Sequence, residues 1–126
     1  MEERAPYGRL DSWHSYPSIF NIGHKAVEGL LAHDVVVEEK IDGSQISWCA
    51  WPDPTQDFAP RLRIRSKGAE MYPEAPEKMF SRGVETVRGL FNEGRLTLGY
   101  TYRAEYLAKP KHNALAYDRV PAGHLI

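Results

Sequence analysis

The sequence predicts an α+β fold, with antiparallel strands and flanking helices, on three observations. The pair Asp42-Gly43 separates two strand-like runs, 35–40 and 45–51, and glycine takes positive φ at no steric cost, so a hairpin is expected there. Residues 61–66 alternate, with Leu62 and Ile64 on one side and Arg61, Arg63 and Arg65 on the other. Residues 76–92 repeat apolar side chains at helical spacing.

Taken in order, residues 1–21 are polar and aromatic, and Pro6 and Pro17 break any helix. They read as an extended arm with a short strand near Ile19. Ile22, Ala26, Val27, Leu30 and Leu31 suit a short amphipathic helix over 22–33, weakened by Gly29. If residues 35–40 are a strand, Lys40 sits at the lip of the hairpin on the side of Val36 and Glu38. Residues 52–60 hold three prolines and two aspartates and read as a loop. A second loop, 71–76, leads to Pro76, well placed as a first helical residue, with Glu77 favourable at the positive end of the dipole. The helix buries Met79, Phe80, Val84, Val87, Leu90 and Phe91 and stops at Gly94. Each large side chain so buried contributes about 1.5–3 kcal/mol before entropy costs. Residues 97–107 alternate as a strand: Leu98, Tyr100, Tyr102, Ala104 and Tyr106 share one face, while Thr101, Arg103 and Glu105 share the other. Residues 109–121 are irregular and locally basic, and 123–126 read as the start of another strand.

A chain of 126 residues is one domain at most, with enough length for a core. Net charge is −1, so there is no global basic field, although the 16 Lys and Arg are unevenly placed and leave room for a local basic groove. Cys49, the only cysteine, lies in a strand-like run and reads as buried and inert, and no internal disulfide can form. The histidines have no ligand-like spacing, which argues against structural zinc. No run approaches the ~20 apolar residues of a membrane span, and the first residues lack an apolar signal segment.

Lys40-Ile41-Asp42-Gly43 fits a Lys-x-Asp-Gly motif. Arg65-Ser66-Lys67-Gly68 and Arg103-Ala104-Glu105-Tyr106-Leu107 follow it in order. Together these resemble the covalent nucleotidyltransferases, the superfamily of ATP-dependent RNA and DNA ligases and mRNA capping enzymes. The resemblance runs from about Val35 to the C-terminus. It implies an adenylation domain whose N-terminal portion is residues 1–126. It implies that Lys40 attacks the α-phosphate of ATP with its free amine and carries AMP, with Mg²⁺ or Mn²⁺ assisting. The backbone at Glu38 and Glu39, with Ile41, would border the adenine. Gln45 would lie in the nucleotide pocket, Arg65 would approach ribose or substrate phosphate, and Glu105 would reach the ribose hydroxyls, or a metal. Lys67, Lys111 and Arg119 are weaker candidates for nucleic-acid contact. Ser44-Gln45 stands where DNA ligases and capping enzymes usually carry an arginine second after the glycine. That, with Lys111-His112-Asn113 and Tyr117-Asp118-Arg119-Val120-Pro121, looks more like the phage-type RNA ligases that seal nicked duplex RNA. Such proteins are cytoplasmic.

The family's adenine-sandwiching aromatic strand, its metal-serving glutamate motif and its late Lys-x-Lys motif are not in these residues. The expectation is therefore a truncated chain, a shortened gene or part of a split enzyme, weakly active or inactive by itself. Exposed sheet edges then predict self-association. Other readings stand beside this one. Arg65 also reads as part of a solvated arginine face, Glu105 as a structural partner of Arg103, and the tyrosines at 100, 102 and 106 as core packing. The whole chain also reads as a DNA ligase, or as a non-catalytic nucleic-acid-binding module keeping the basic strand face.

Overall fold

The structure, a computed structural model, describes residues 13–126. The first part of the arm, 1–12, lies outside them. The fold is α+β, built on one antiparallel sheet of four strands: β1 (Ser44–Asp53), β2 (Ala59–Ser66), β3 (Glu70–Met71) and β4 (Tyr102–Tyr106), in the order β3-β2-β1-β4. A helix, α1 (Ser81–Asn92), backs one face.

The long hairpin is β1–β2, paired from Ile46↔Ser66 to Asp53↔Ala59. Its turn begins with the 3-10 turn Pro54–Gln56, where the Asp53 carboxylate caps the Thr55 N–H at 2.9 Å. The alternation in β2 is borne out, with Leu62 and Ile64 buried beneath α1. On the same face stand Ile46 and Trp48 of β1 and Tyr106 of β4, and they meet Phe80, Val84 and Val87. Burying these side chains, at about 1.5–3 kcal/mol each, is what holds sheet to helix.

Several expected elements differ. Residues 35–40 form no strand, and Asp42-Gly43 turns no hairpin. The reason is that β1 is central: β2 takes one edge and β4 the other, through Ser44↔Tyr106 to Trp48↔Tyr102. No edge is left for 35–40, and Val36 and Val37 stand 86% and 90% exposed. Residues 22–33 form no helix but two 3-10 turns, Lys25–Val27 and Leu30–Ala32, separated by Gly29 at φ 77°. No strand forms near Ile19, which is exposed. The helix begins later than expected, at Ser81, after a 3-10 turn at Lys78–Phe80, and Met79 is exposed. It ends as expected: Gly94 takes φ 68°, and the Gly94 and Arg95 N–H groups cap the Phe91 and Leu90 carbonyls, each at 3.0 Å.

β4 is shorter than the 97–107 alternation suggests, because residues 97–100 turn. Tyr102 and Tyr106 face the core, while Tyr100 is exposed. Residues 123–126 do not form a full strand. They bridge the free edge of β4 at Tyr106↔Leu125, with Glu105 and Ile126 exchanging N–H···O bonds of 2.9 and 3.0 Å. No helix among the described residues is long and apolar enough to cross a membrane.

Candidate functional site

Lys40 lies just ahead of β1, in a turn that a second loop grips. Residues 108–117 fold back on themselves through the bridge Lys111↔Ala116 and a bond from the Tyr117 N–H to the Pro110 carbonyl at 2.9 Å. The Asp42 carboxylate accepts the N–H groups of Ala114 and Leu115, both at 2.8 Å. The Asn113 amide donates to the Gly43 carbonyl at 2.9 Å and reaches the Asp42 carboxylate at 3.4 Å. The Tyr117 hydroxyl accepts the Asp42 N–H at 2.7 Å. His112 Nδ1 accepts the Ala108 N–H at 3.1 Å, so Nε2 carries the proton and donates to Ser44 Oγ at 2.7 Å. The Leu115 N–H, then the Ala114 N–H and the Asn113 amide, hold the Asp42 carboxyl below the usual range, with the Lys40 charge adding least. Gly43 is glycine because a Cβ there would lie 2.5 Å from the Tyr106 carbonyl oxygen.

The Lys40 side chain is exposed and makes no hydrogen bond or ion pair with a described residue. Glu38 and Glu39 are exposed beside it, and Ile41 is half-buried. Glu39 borders a cleft of about 610 Å³ lined also by Leu107, Tyr117, Arg119, Val120 and Ile126.

The face of the sheet away from α1 carries the other expected residues. Gln45 stands opposite Glu105, and Ser47 stands between Arg65 of β2 and Arg103 of β4. The structure therefore brings Gln45, Arg65 and Glu105 onto one face, near the end of β1 that follows the Lys40 turn. Residues 13–16 lie over this face. Trp13 stacks on the guanidinium groups of Arg63 and Arg65, at 5.2 and 6.0 Å from the ring centroid. Gln45 Oε1 accepts the Tyr16 N–H at 3.1 Å, Arg103 donates to the His14 carbonyl at 3.1 Å, and Arg65 reaches Ser15 Oγ at 3.4 Å. Arg63 pairs with Glu70 at 2.7 Å, whereas the hydrogen-bond partners of Arg65 among the described residues are neutral oxygens, at 3.2–3.5 Å. The Ser47 hydroxyl is buried and has no hydrogen-bond partner among the described residues.

Lys67 lies just past β2 with its ammonium exposed, and its carbonyl accepts the Ser15 hydroxyl at 2.6 Å. Lys111 and Arg119 are exposed on the loop side, Arg119 at the cleft with Glu39, and neither joins the arginine face. Sequence reasoning missed Ser47, although the alternation of β1 sets it beside Gln45. It also missed the grip of Asn113 and Tyr117 on the Lys40 turn, for which no local pattern exists.

No group of three His, Cys, Asp or Glu among the described residues could hold a metal ion, and Asp42 is already spent on two backbone N–H groups. The described residues therefore do not fit a resident metal. Compared with protein-family models, with characterised proteins and with solved structures, the chain matches none.

Proposed function

We propose that the chain is the lysine-bearing part of an ATP-dependent polynucleotide ligase acting on RNA. The observation that carries this reading is the shared placement of Gln45, Arg65 and Glu105 on one sheet face, at the end of β1 that follows the Lys40 turn. An exposed lysine amine, an arginine without an acidic partner among the described residues and a carboxylate suit a nucleotide's phosphate and ribose. In the first step the free amine of Lys40 attacks the α-phosphate. A P–N bond forms, the P–O bond to pyrophosphate breaks, and the amine gives up a proton. An RNA 5′-phosphate oxygen then displaces lysine to give an adenylylated end. A 3′-hydroxyl attacks that end, releasing AMP and sealing the strand.

Incubation with ATP labelled at the α-phosphate and Mg²⁺ tests this. The expected result is a faint acid-labile label, as suits a weakly active chain, that disappears in Lys40→Ala. An unlabelled wild-type chain would sink the reading. Sealing nicked RNA in preference to nicked DNA is the expected substrate order, on the ground of Gln45.

A second reading has its own observation. Arg61, Arg63 and Arg65 stand on one face of β2, with Trp13 stacked on two of them. Such a face suits nucleic-acid phosphates without any chemistry. RNA binding that falls steeply with salt while no adenylate forms would favour it.

A further inference from the structure

We infer that the 108–117 loop positions Lys40, with Asn113 and Tyr117 as its positioning residues. The inference rests on Lys40 acting as the nucleophile. It starts from how unevenly the lysine is held. On its N-terminal side, residues 34–41 belong to no strand, and Val36 and Val37 are almost fully exposed. On its C-terminal side the Asp42 N–H and carboxylate, the Gly43 carbonyl and the Ser44 hydroxyl are all engaged from one loop. Apart from the 3.4 Å reach of Asn113 to the Asp42 carboxylate, these contacts are short, between 2.7 and 2.9 Å.

Two of those contacts, from the Ala114 and Leu115 N–H groups, are backbone and survive any side-chain change there. Those from Asn113 and Tyr117 belong to side chains. Asn113 holds the Gly43 carbonyl, and Tyr117 holds the Asp42 N–H. The loop can act as an anchor because it is braced by its own bridge and by the Tyr117–Pro110 backbone bond. Tyr117 has a further place: it lines the cleft that Glu39 and Arg119 border. Its hydroxyl accepts from Asp42, so its own proton is left to donate to another acceptor. One side chain therefore touches both the nucleophile's turn and the cleft beside it.

In-line attack on phosphorus needs the amine placed within a fraction of an ångström, and a displacement of about 1 Å costs on the order of 10²-fold in rate. Loss of either side chain should let the turn drift and should act on the rate constant rather than on ATP binding. Asn113→Ala and Tyr117→Phe are expected to lower the self-adenylation rate at saturating ATP by at least ~10-fold, with the KM for ATP changed by less than ~2-fold. Asn113→Ser, which keeps a short hydrogen-bonding side chain, should recover part of the loss. Leu115→Ala, which keeps the backbone donor and trims a mostly exposed side chain, should label at the wild-type rate. A second readout needs no ATP: trypsin cleavage after Lys40 should be faster in Asn113→Ala and Tyr117→Phe, while the thermal midpoint of the core stays near wild type.

A labelled wild type with unchanged rate constants in both variants would overturn the positioning role and leave the ligase reading intact. A raised KM with an unchanged rate constant would also overturn it, since the two residues would then bind ATP. A wild type that takes no label removes the nucleophile, and the positioning role with it, whatever trypsin shows.

Discussion

Gly83 and Cys49 show how much one position can settle. Gly83 lies in the first turns of α1, and a Cβ there would sit 2.8 Å from Cδ2 of Tyr106. Tyr106 cannot step aside easily: it is 1% exposed, and its hydroxyl donates to the Met79 carbonyl at 2.5 Å. Gly83→Ala is therefore expected to destabilise the fold by about 1–3 kcal/mol, read from the denaturation midpoint. No sequence pattern announces this, because a glycine inside a helix usually reads as a weakness. Cys49 was legible, since its place in an apolar strand-like run implies burial. Burial pushes its thiol up to about 12, and the side chain is fully enclosed. Only the thiolate reacts, so Cys49 should resist thiol reagents at pH 8 and modify only as fast as the chain unfolds. Rapid labelling of the native protein would contradict that.

At the level of elements, legibility followed locality. The alternation of β2 and the glycine stop of α1 depend on neighbours in sequence, and both are found as read. The supposed hairpin at Asp42-Gly43 depends on who pairs with β1, and that is decided by β4, more than 50 residues away in sequence. The Asp-Gly pair does serve a turn, but its carboxylate is taken by the backbone of 114–115. This has a pH consequence. The folded state holds the Asp42 pKa below its ordinary value, first through the Leu115 N–H, so the contribution to stability is present above the unfolded value, near ~3.9, and is lost as pH falls through the lower folded value. The Ala114 and Leu115 amide resonances should titrate with a midpoint below that of an ordinary aspartate, and should not titrate in Asp42→Asn. A midpoint at or above the ordinary value would mean that the cradle does not hold.

Across the whole molecule, the two faces of one sheet divide the labour. One face is closed by α1 and supplies the core; the other gathers Gln45, Ser47, Arg65, Arg103 and Glu105 beneath residues 13–16. The α+β class, and the sides that Arg65 and Glu105 take within their own strands, were legible because strand alternation fixes sides. The loop grip on Lys40 was not, because it joins residues about 70 apart through hydrogen bonds that leave no periodic trace. What remains is apolar surface outside both faces. Val36 and Val37 stand nearly bare, with Ile22 and Leu31 at 77% and 70% exposure. Three β-branched residues in a row with no strand partner are a template for pairing with another copy. Glu38, Glu39 and Lys40 follow immediately, and charges so placed oppose unlimited stacking. The expected outcome is limited, concentration-dependent self-association, seen as a rising weight-average mass in sedimentation. Val36→Lys with Val37→Lys should abolish it without moving the thermal midpoint, because neither side chain contributes to the core. A constant monomer mass in the wild type would show that the charges alone suffice to keep this segment single.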